Sequence, residues 1–197
     1  MNVNGCPGFT QQAFDAISNK VKESNGALVC NIVFDEMVLR RGISWNGKKY
    51  VGLIDFGPES IHQNKSSSMA TNALVFLAVA INDSWKVPIG YFFIDHLSGE
   101  DRANLLNICL KHFHETGAHV YSVTFDGLQA NEKMYSVLGA NLMYNNLKPY
   151  FLHPITNKKV YVFIDACHTL KLVRNTLGDL KILWKDSTKN SEIIKWK

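Results

Sequence analysis

The order of strand and helix patterns is the feature of this sequence that most constrains its fold. Residues 27–39, a hairpin pattern over 43–56, and the apolar runs "ALVFLAVAI" and "PIGYFFI" all have the composition of β-strands. Asn46-Gly47 forms the two-residue turn that hairpins favour. Because no helix pattern separates these segments, we expect the sheet to open with antiparallel strands.

Helix patterns alternate with strands only after residue 97. Ser98 and Asp101 resemble a capping box that begins a helix ending at Gly117. Two strand-helix pairs follow: the strand "HVYSVTFDG" with a helix over 129–139, and the strand "KVYVFIDA" with a helix over 167–177. This order predicts an α/β fold with a mixed sheet and flanking helices, and it argues against a doubly wound domain, in which helices separate the strands from the start.

One helix pattern precedes the first strand. Thr10 is a candidate N-cap, and the helix is expected to run to about Glu23, where "SNG" at 24–26 ends it. We expect this helix to be peripheral to the sheet. A polar loop is expected over 57–72.

Three strand patterns run directly into an aspartate. The segments are "VCNIVFDEM", "VYSVTFDGL" and "VYVFIDACH", and their acids are Asp35, Asp126 and Asp165. Because α/β sheets bind ligands at the carboxyl ends of parallel strands, these acids would converge if their strands are neighbours. Carboxylates are ligands that Mg²⁺ prefers, and paired magnesium ions can stabilise both the attacking and the leaving oxygen of a phosphodiester. Asp165 precedes a helix, so it is equally well placed to cap that helix.

The same segments resemble the catalytic core of P-element-type transposases, including their THAP-domain relatives. The resemblance runs in order from about Gly26 to Gly178 and rests on these segments: "FDEM", "YVGLIDFG", "ALVFLAVAI", "WKVPIGYFF", "TFDGLQANEKMYSVLGA" and "DACHTLKLVRN". It implies an RNase H-like fold with a DDE/DDD-type acid triad that cuts and joins DNA with Mg²⁺ or Mn²⁺. It also implies a GTP-binding insertion domain, which this chain is expected to lack.

Carried over to this chain, the resemblance makes Asp35 the first catalytic acid and Asp126 the second. We expect Asp35 to be buried and neutralised by metal, and Glu36 to lie on the opposite face of the strand, where solvent, a helix or a basic partner satisfies it. The family's third acid lies beyond the insertion domain, so Asp165 is the nearest substitute ligand in this chain, although we expect capping to occupy it.

The expected organisation has three parts. Residues 1–26 form a lead-in with the first helix, 27–178 form the N-terminal portion of an RNase H-like core, and 179–197 form a basic tail at the start of a missing insertion domain. The resulting RNase H-like sheet is therefore expected to be incomplete.

Positive charge is concentrated near the end of the sequence. Residues 148–197 hold ten Lys/Arg against four acids, net +6, whereas the first 147 residues are net −2. A basic region with interleaved aromatic residues is typical of nucleic-acid binding, but a solvated lysine-rich surface explains the charge equally well. The candidate DNA contacts are Lys171, Arg174, Lys181 and Lys185. We expect transposon-end or target DNA as the partner, self-association as a further option, and a nuclear location. We expect no membrane span, because the longest apolar run is about half the length that a membrane-spanning helix requires.

Three functional hypotheses remain open at this point. The first is a metal-dependent transposase core, and the second is a domesticated, non-catalytic nuclear module that binds DNA or another protein. The third is a phosphoaspartyl hydrolase, in which strand-end aspartates also act. Such an enzyme needs a second acid two residues after its nucleophile, and Met37 occupies that position after Asp35.

Overall fold

A computed structural model of the chain describes residues 5–24, 26–48, 50–57, 68–180, 182–184 and 193–195. The strands are β1 (Gly8–Phe9), β2 (Val29–Val38), β3 (Ser44–Trp45), β4 (Tyr50–Val51), β5 (Asn72–Ala80), β6 (Lys86–Ile94), β7 (His119–Phe125), β8 (Tyr150–Leu152), β9 (Lys159–Ile164), β10 (Ile182–Trp184) and β11 (Ile193–Lys195). The helices are α1 (Gln11–Glu23), α2 (Gly99–Thr116), α3 (Gln129–Val137) and α4 (Ala166–Leu180), with a 3₁₀ turn at Tyr144–Asn146. Of the helices in these ranges, none is long and apolar enough to cross a membrane.

Seven of the described strands form one mixed sheet in the order β1-β6-β5-β2-β7-β9-β8. β5 pairs antiparallel with both β6 and β2, whereas β7 runs parallel to β2 on one side and to β9 on the other. The predicted change from antiparallel strands to strand-helix alternation is therefore confirmed. Helix α2 leads into β7, and α3 lies between β7 and the β8–β9 pair, as crossover connections require.

The hydrophobic core lies between one face of the sheet and helices α1 and α2. Phe34, on β2, stacks on Phe76 of β5 at 5.0 Å between ring centroids. Phe113 of α2 meets Phe14 of α1 edge-on at 5.7 Å. Phe14 is 3% exposed and Ile17 is fully buried, so the prediction that the first helix is peripheral was wrong. Its apolar face packs against α2 and β6.

Both predicted N-cap positions are confirmed, but only one of the two side chains makes a capping hydrogen bond. Ser98 caps α2 as predicted, since its Oγ accepts a hydrogen bond from the Asp101 backbone N–H at 3.1 Å. Thr10 stands at the N-cap of α1 without a side-chain capping bond, and its backbone carbonyl accepts from Ala13 instead.

The β3–β4 hairpin is looser than its turn signal indicates. Ser44 pairs with Val51 and Trp45 with Tyr50, so the last pair of the described ladder is not adjacent to Asn46-Gly47. The short edge strands β1 and β8 were not predicted. Residues 58–67 of the predicted polar loop, and most of the basic tail, lie outside the described residues.

Candidate metal centre

The parallel pairing of β2 and β7 brings Asp35 and Asp126 to the same edge of the sheet. Val33 lies opposite Thr124 in the ladder, and each acid follows two residues later on its own strand. The Asn31 side chain reinforces this pairing: its Oδ1 accepts from Ser122 Oγ at 3.0 Å, and its Nδ2 donates to Thr124 Oγ1 at 3.0 Å. Asp35 lies within β2 and Asp126 directly follows β7, so the prediction that adjacent strands position the two acids is confirmed.

Asp35 is exposed, so the prediction that it is buried was wrong. The burial pattern of β2 explains the error. Cys30, Ile32 and Phe34 point into the core, so Asp35 alternates to the outer face and Glu36 to the helix side. Asp35 Oδ1 accepts a hydrogen bond from the Glu36 backbone N–H at 2.8 Å. An ionised carboxylate at this exposed position carries no large desolvation cost.

Asp126 is much less accessible, with 8% of its surface exposed. Its Oδ1 accepts hydrogen bonds from the Leu128 backbone N–H at 3.2 Å and from Asn131 Nδ2 at 2.6 Å. Among the described residues, none donates to its second oxygen, Oδ2. One carboxylate oxygen is therefore held by the start of α3, which leaves the other open to a ligand.

Glu36, which is partly buried, takes the inward-facing position that the sequence analysis had assigned to Asp35. Its Oε1 pairs with Arg102 Nη2, and its Oε2 accepts from Asn72 Nδ2. Arg102 is 5% exposed and also donates from Nη1 to Asn131 Oδ1 at 3.1 Å and from Nε to the Leu97 carbonyl at 3.3 Å. A helix and a basic side chain thus satisfy Glu36, two of the options that the sequence left open.

The sequence analysis gave neither Arg102 nor Asn131 a role in the site, yet the two side chains are only 5% and 3% exposed. A signal for both was present. Arg102 shares the apolar face of α2 with Leu106 and Cys109, at i+4 and i+7, and Asn131 precedes the buried Met134 by three residues. A polar side chain on the apolar face of a helix needs a buried partner.

Asp165 caps α4, as the sequence analysis expected. Its Oδ1 accepts from the Cys167 backbone N–H at 3.0 Å, and its carbonyl accepts from the Thr169 N–H and hydroxyl. Its strand, β9, is parallel to β7, so Asp165 also lies at the carboxyl edge of the sheet. One of its carboxylate oxygens is thereby occupied by the helix.

Of the four candidate DNA contacts, Lys171 and Arg174 lie on α4 and are exposed. Arg174 donates to Asn175 Oδ1 from Nε and Nη2. The apolar side chains of the same helix are also exposed: Leu170 by 73% and Val173 by 51%. The side chains of Lys181 and Lys185 lie outside the described residues.

The donor atoms at this edge suit a hard divalent cation. Mg²⁺ is commonly held by one or two carboxylates together with water and substrate phosphates, and Asp35 and Asp126 offer two carboxylates. Within the described ranges, no three His, Cys, Asp or Glu side chains are grouped to hold a metal. A cleft of about 460 Å³ opens beside Glu36 and Arg102, and its lining includes neither Asp35 nor Asp126.

Comparison with known proteins identifies the family. The sequence profile of the family described as "TNP-like, RNase H N-terminal domain" matches residues 5–139, more than half of the chain. The chain belongs to this family. The matched range includes α1 and the strands that carry Asp35 and Asp126.

Two curated transposases and one solved structure are similar to this TNP-like RNase H domain. Human DNA transposase THAP9 is 28% identical over 179 residues, which cover 89% of this chain and 20% of THAP9. The Drosophila melanogaster P transposase is 34% identical over 114 residues, 56% of this chain and 14% of that protein. The Drosophila P element transposase strand transfer complex matches with a TM-score of 0.67 at 21% identity, over 94% of this chain and 37% of that one. This match confirms the RNase H-like fold, and the chain spans a fifth or less of the curated relatives.

Proposed function

We propose that this chain forms part of the catalytic domain of a DNA transposase, in which Asp35 and Asp126 bind Mg²⁺ or Mn²⁺. The observation that carries the proposal is the parallel β2–β7 ladder, which delivers both carboxylates to one edge of the sheet. The similarity to two transposases supports the same class of reaction.

When bound, a divalent metal would stabilise the charge that develops on the phosphodiester oxygens during strand cleavage and joining. The protein supplies the two carboxylates and holds them differently. Asp35 is exposed, where a DNA backbone can approach, while Asp126 is fixed by two hydrogen bonds at the start of α3. Lys171 and Arg174, exposed on the helix that follows Asp165, are the DNA contacts we propose among the described residues.

The alternative is a domesticated module that keeps the fold and DNA affinity without the chemistry. It uses the same surface but does not require metal at Asp35 and Asp126. A nuclear location and a GTP-binding partner domain stay predictions of the family resemblance, and both roles are compatible with them.

Calorimetric titration of Mn²⁺ into three variants tests the metal centre. We expect Asp35→Asn and Asp126→Asn each to weaken binding at least tenfold, since each removes a charged ligand. Asp165→Asn is the matched control: it keeps an oxygen that can cap α4, so it should retain both metal affinity and stability. Loss of metal in the control with retention in Asp35→Asn would show that the site is wrongly assigned.

A strand-transfer assay with labelled DNA separates the two functional hypotheses. The transposase hypothesis expects metal-dependent joining by the active protein that contains this domain, and loss of joining in Asp35→Asn. Salt-sensitive DNA binding combined with wild-type Mn²⁺ titrations that show no binding would instead favour the domesticated module.

A further inference from the structure

We propose that Asn131, Arg102 and Glu36 are positioning residues that aim the Asp126 carboxylate at its metal. This inference rests on the proposed function and adds three residues that touch neither metal nor DNA in it. They form a continuous chain of hydrogen bonds, partly buried at Glu36 and buried at Asn131, from β2 through α2 and α3 to the end of β7.

The contact with Asp126 comes from Asn131. Its Nδ2 donates to Asp126 Oδ1 at 2.6 Å and to the Asp126 backbone carbonyl at 3.3 Å, so one amide group holds both the side chain and the backbone of the acid. The Leu128 backbone N–H donates to the same Oδ1. Because both contacts fall on Oδ1, they set the direction in which Oδ2 points.

Arg102 determines which end of the Asn131 amide faces Asp126. A guanidinium carries only donors, so Arg102 Nη1 requires an acceptor and takes Asn131 Oδ1 at 3.1 Å. The Nδ2 end must then face Asp126. Without Arg102, only the contacts with Asp126 would hold the Asn131 amide, and its orientation would be less restricted.

Glu36 holds the Arg102 guanidinium in the orientation that its hydrogen bond to Asn131 requires. Its Oε1 accepts from Arg102 Nη2, and the Leu97 carbonyl accepts from Nε, so three separate acceptors engage three nitrogens of one planar group. Asn72 anchors the other oxygen of Glu36. Arg102 is 5% exposed and Asn131 3%, so water competes little for these bonds.

Mn²⁺ titration of the 197-residue chain tests the positioning role. We expect Asn131→Ala and Arg102→Lys each to weaken Mn²⁺ binding about tenfold or more, the usual effect of removing a group that orients a metal ligand. Arg102→Lys keeps the charge beside Glu36 but lacks the planar fork that reaches both Glu36 and Asn131.

Thr116→Val is the matched control. Thr116 is also buried, its hydroxyl donates to the Phe113 carbonyl at 2.7 Å, and it lies at the far end of α2. We expect this variant to melt at a lower temperature while keeping wild-type Mn²⁺ affinity. If Asn131→Ala also loses only stability and keeps full affinity, the network is merely structural and the proposal is wrong.

The side-chain amide signals of Asn131 in metal-free protein give a second measurement by NMR. We expect Arg102→Lys and Glu36→Gln to shift these signals and to speed their exchange with water, while Thr116→Val leaves them unchanged. Signals that are the same in wild type and Arg102→Lys would overturn the chain of contacts. A third outcome separates the two proposals. If wild-type protein binds no Mn²⁺ while Arg102→Lys and Glu36→Gln shift the Asn131 amide signals as expected, the proposed function is refuted and the positioning role with it. The hydrogen-bond network would still be supported.

Discussion

Replacing Arg102 with Met should destabilise the fold far more than removing a charge usually does. The substitution keeps most of the aliphatic volume but removes the partner of Glu36, whose side chain is only 14% exposed. It also leaves Asn131 Oδ1 and the Leu97 carbonyl without their donor.

The magnitude follows from the uncompensated charge. Breaking a buried ion pair from one side costs about 3–5 kcal/mol, because the remaining ion keeps its desolvation penalty. The orphaned acceptors add to this, but the partial exposure of Glu36 reduces it, so we expect about 3–4 kcal/mol in the free energy of unfolding. For a chain of this size, that corresponds to a fall in melting temperature of roughly 6–16 °C.

Urea denaturation followed by circular dichroism measures this loss, and a double-mutant cycle assigns it. In Arg102→Met/Glu36→Gln the buried charge is gone, so we expect the double variant to be less destabilised than the sum of the single variants by about 1–3 kcal/mol. Lys133→Met is the matched control, since Lys133 of α3 pairs with Glu100 of α2 at 3.4 Å but both side chains are more than half exposed. It should cost no more than about 1 kcal/mol. A loss below about 1 kcal/mol for Arg102→Met, or strict additivity in the cycle, would refute the argument.

Two further predictions concern DNA and pH. If Lys171 contacts a DNA phosphate, Lys171→Ala should reduce the steepness of log affinity against log salt concentration by about one. The control Lys22→Ala, on α1, should leave this slope unchanged. Fluorescence-anisotropy titrations measure the slopes, and equal slopes for Lys171→Ala and wild type would exclude the contact. Burial holds the pKa of His153 below its ordinary 6.5, and its Nδ1 accepts the Ile155 and Thr156 N–H groups. His153 therefore binds a proton more tightly in the unfolded chain than in the folded protein. The stability that neutral His153 supplies is complete above about pH 6.5, and it is lost as the pH falls through the lower pKa of the folded state. Urea titrations between pH 5 and 8 should show this loss, and His153→Asn, which keeps an acceptor, should reduce the pH dependence; an unchanged profile would contradict it.

Local signals in the sequence determined most of the secondary structure and the position of the candidate acids. Runs of apolar and β-prone residues located β2, β5, β6, β7 and β9, and their order relative to the helices predicted the mixed sheet. Ser98 marked the start of α2, and the aspartates near the ends of β2, β7 and β9 marked the carboxyl edge. These features depend on residues within a few positions of one another, so a sequence records them directly.

Tertiary structure decided which acid is buried and what holds it. Asp35 and Glu36 are adjacent and chemically alike, and only the packing of α2 against β2 shows that Glu36 points inward, towards Arg102, 66 residues away. Arg102 in turn meets Asn131, 29 residues further on. Likewise, the apolar face of α1 predicted a helix but not its burial against α2 and β6. Contacts between such distant residues arise when a sheet and its helices close around one core, and neither residue type nor spacing records which partners then meet.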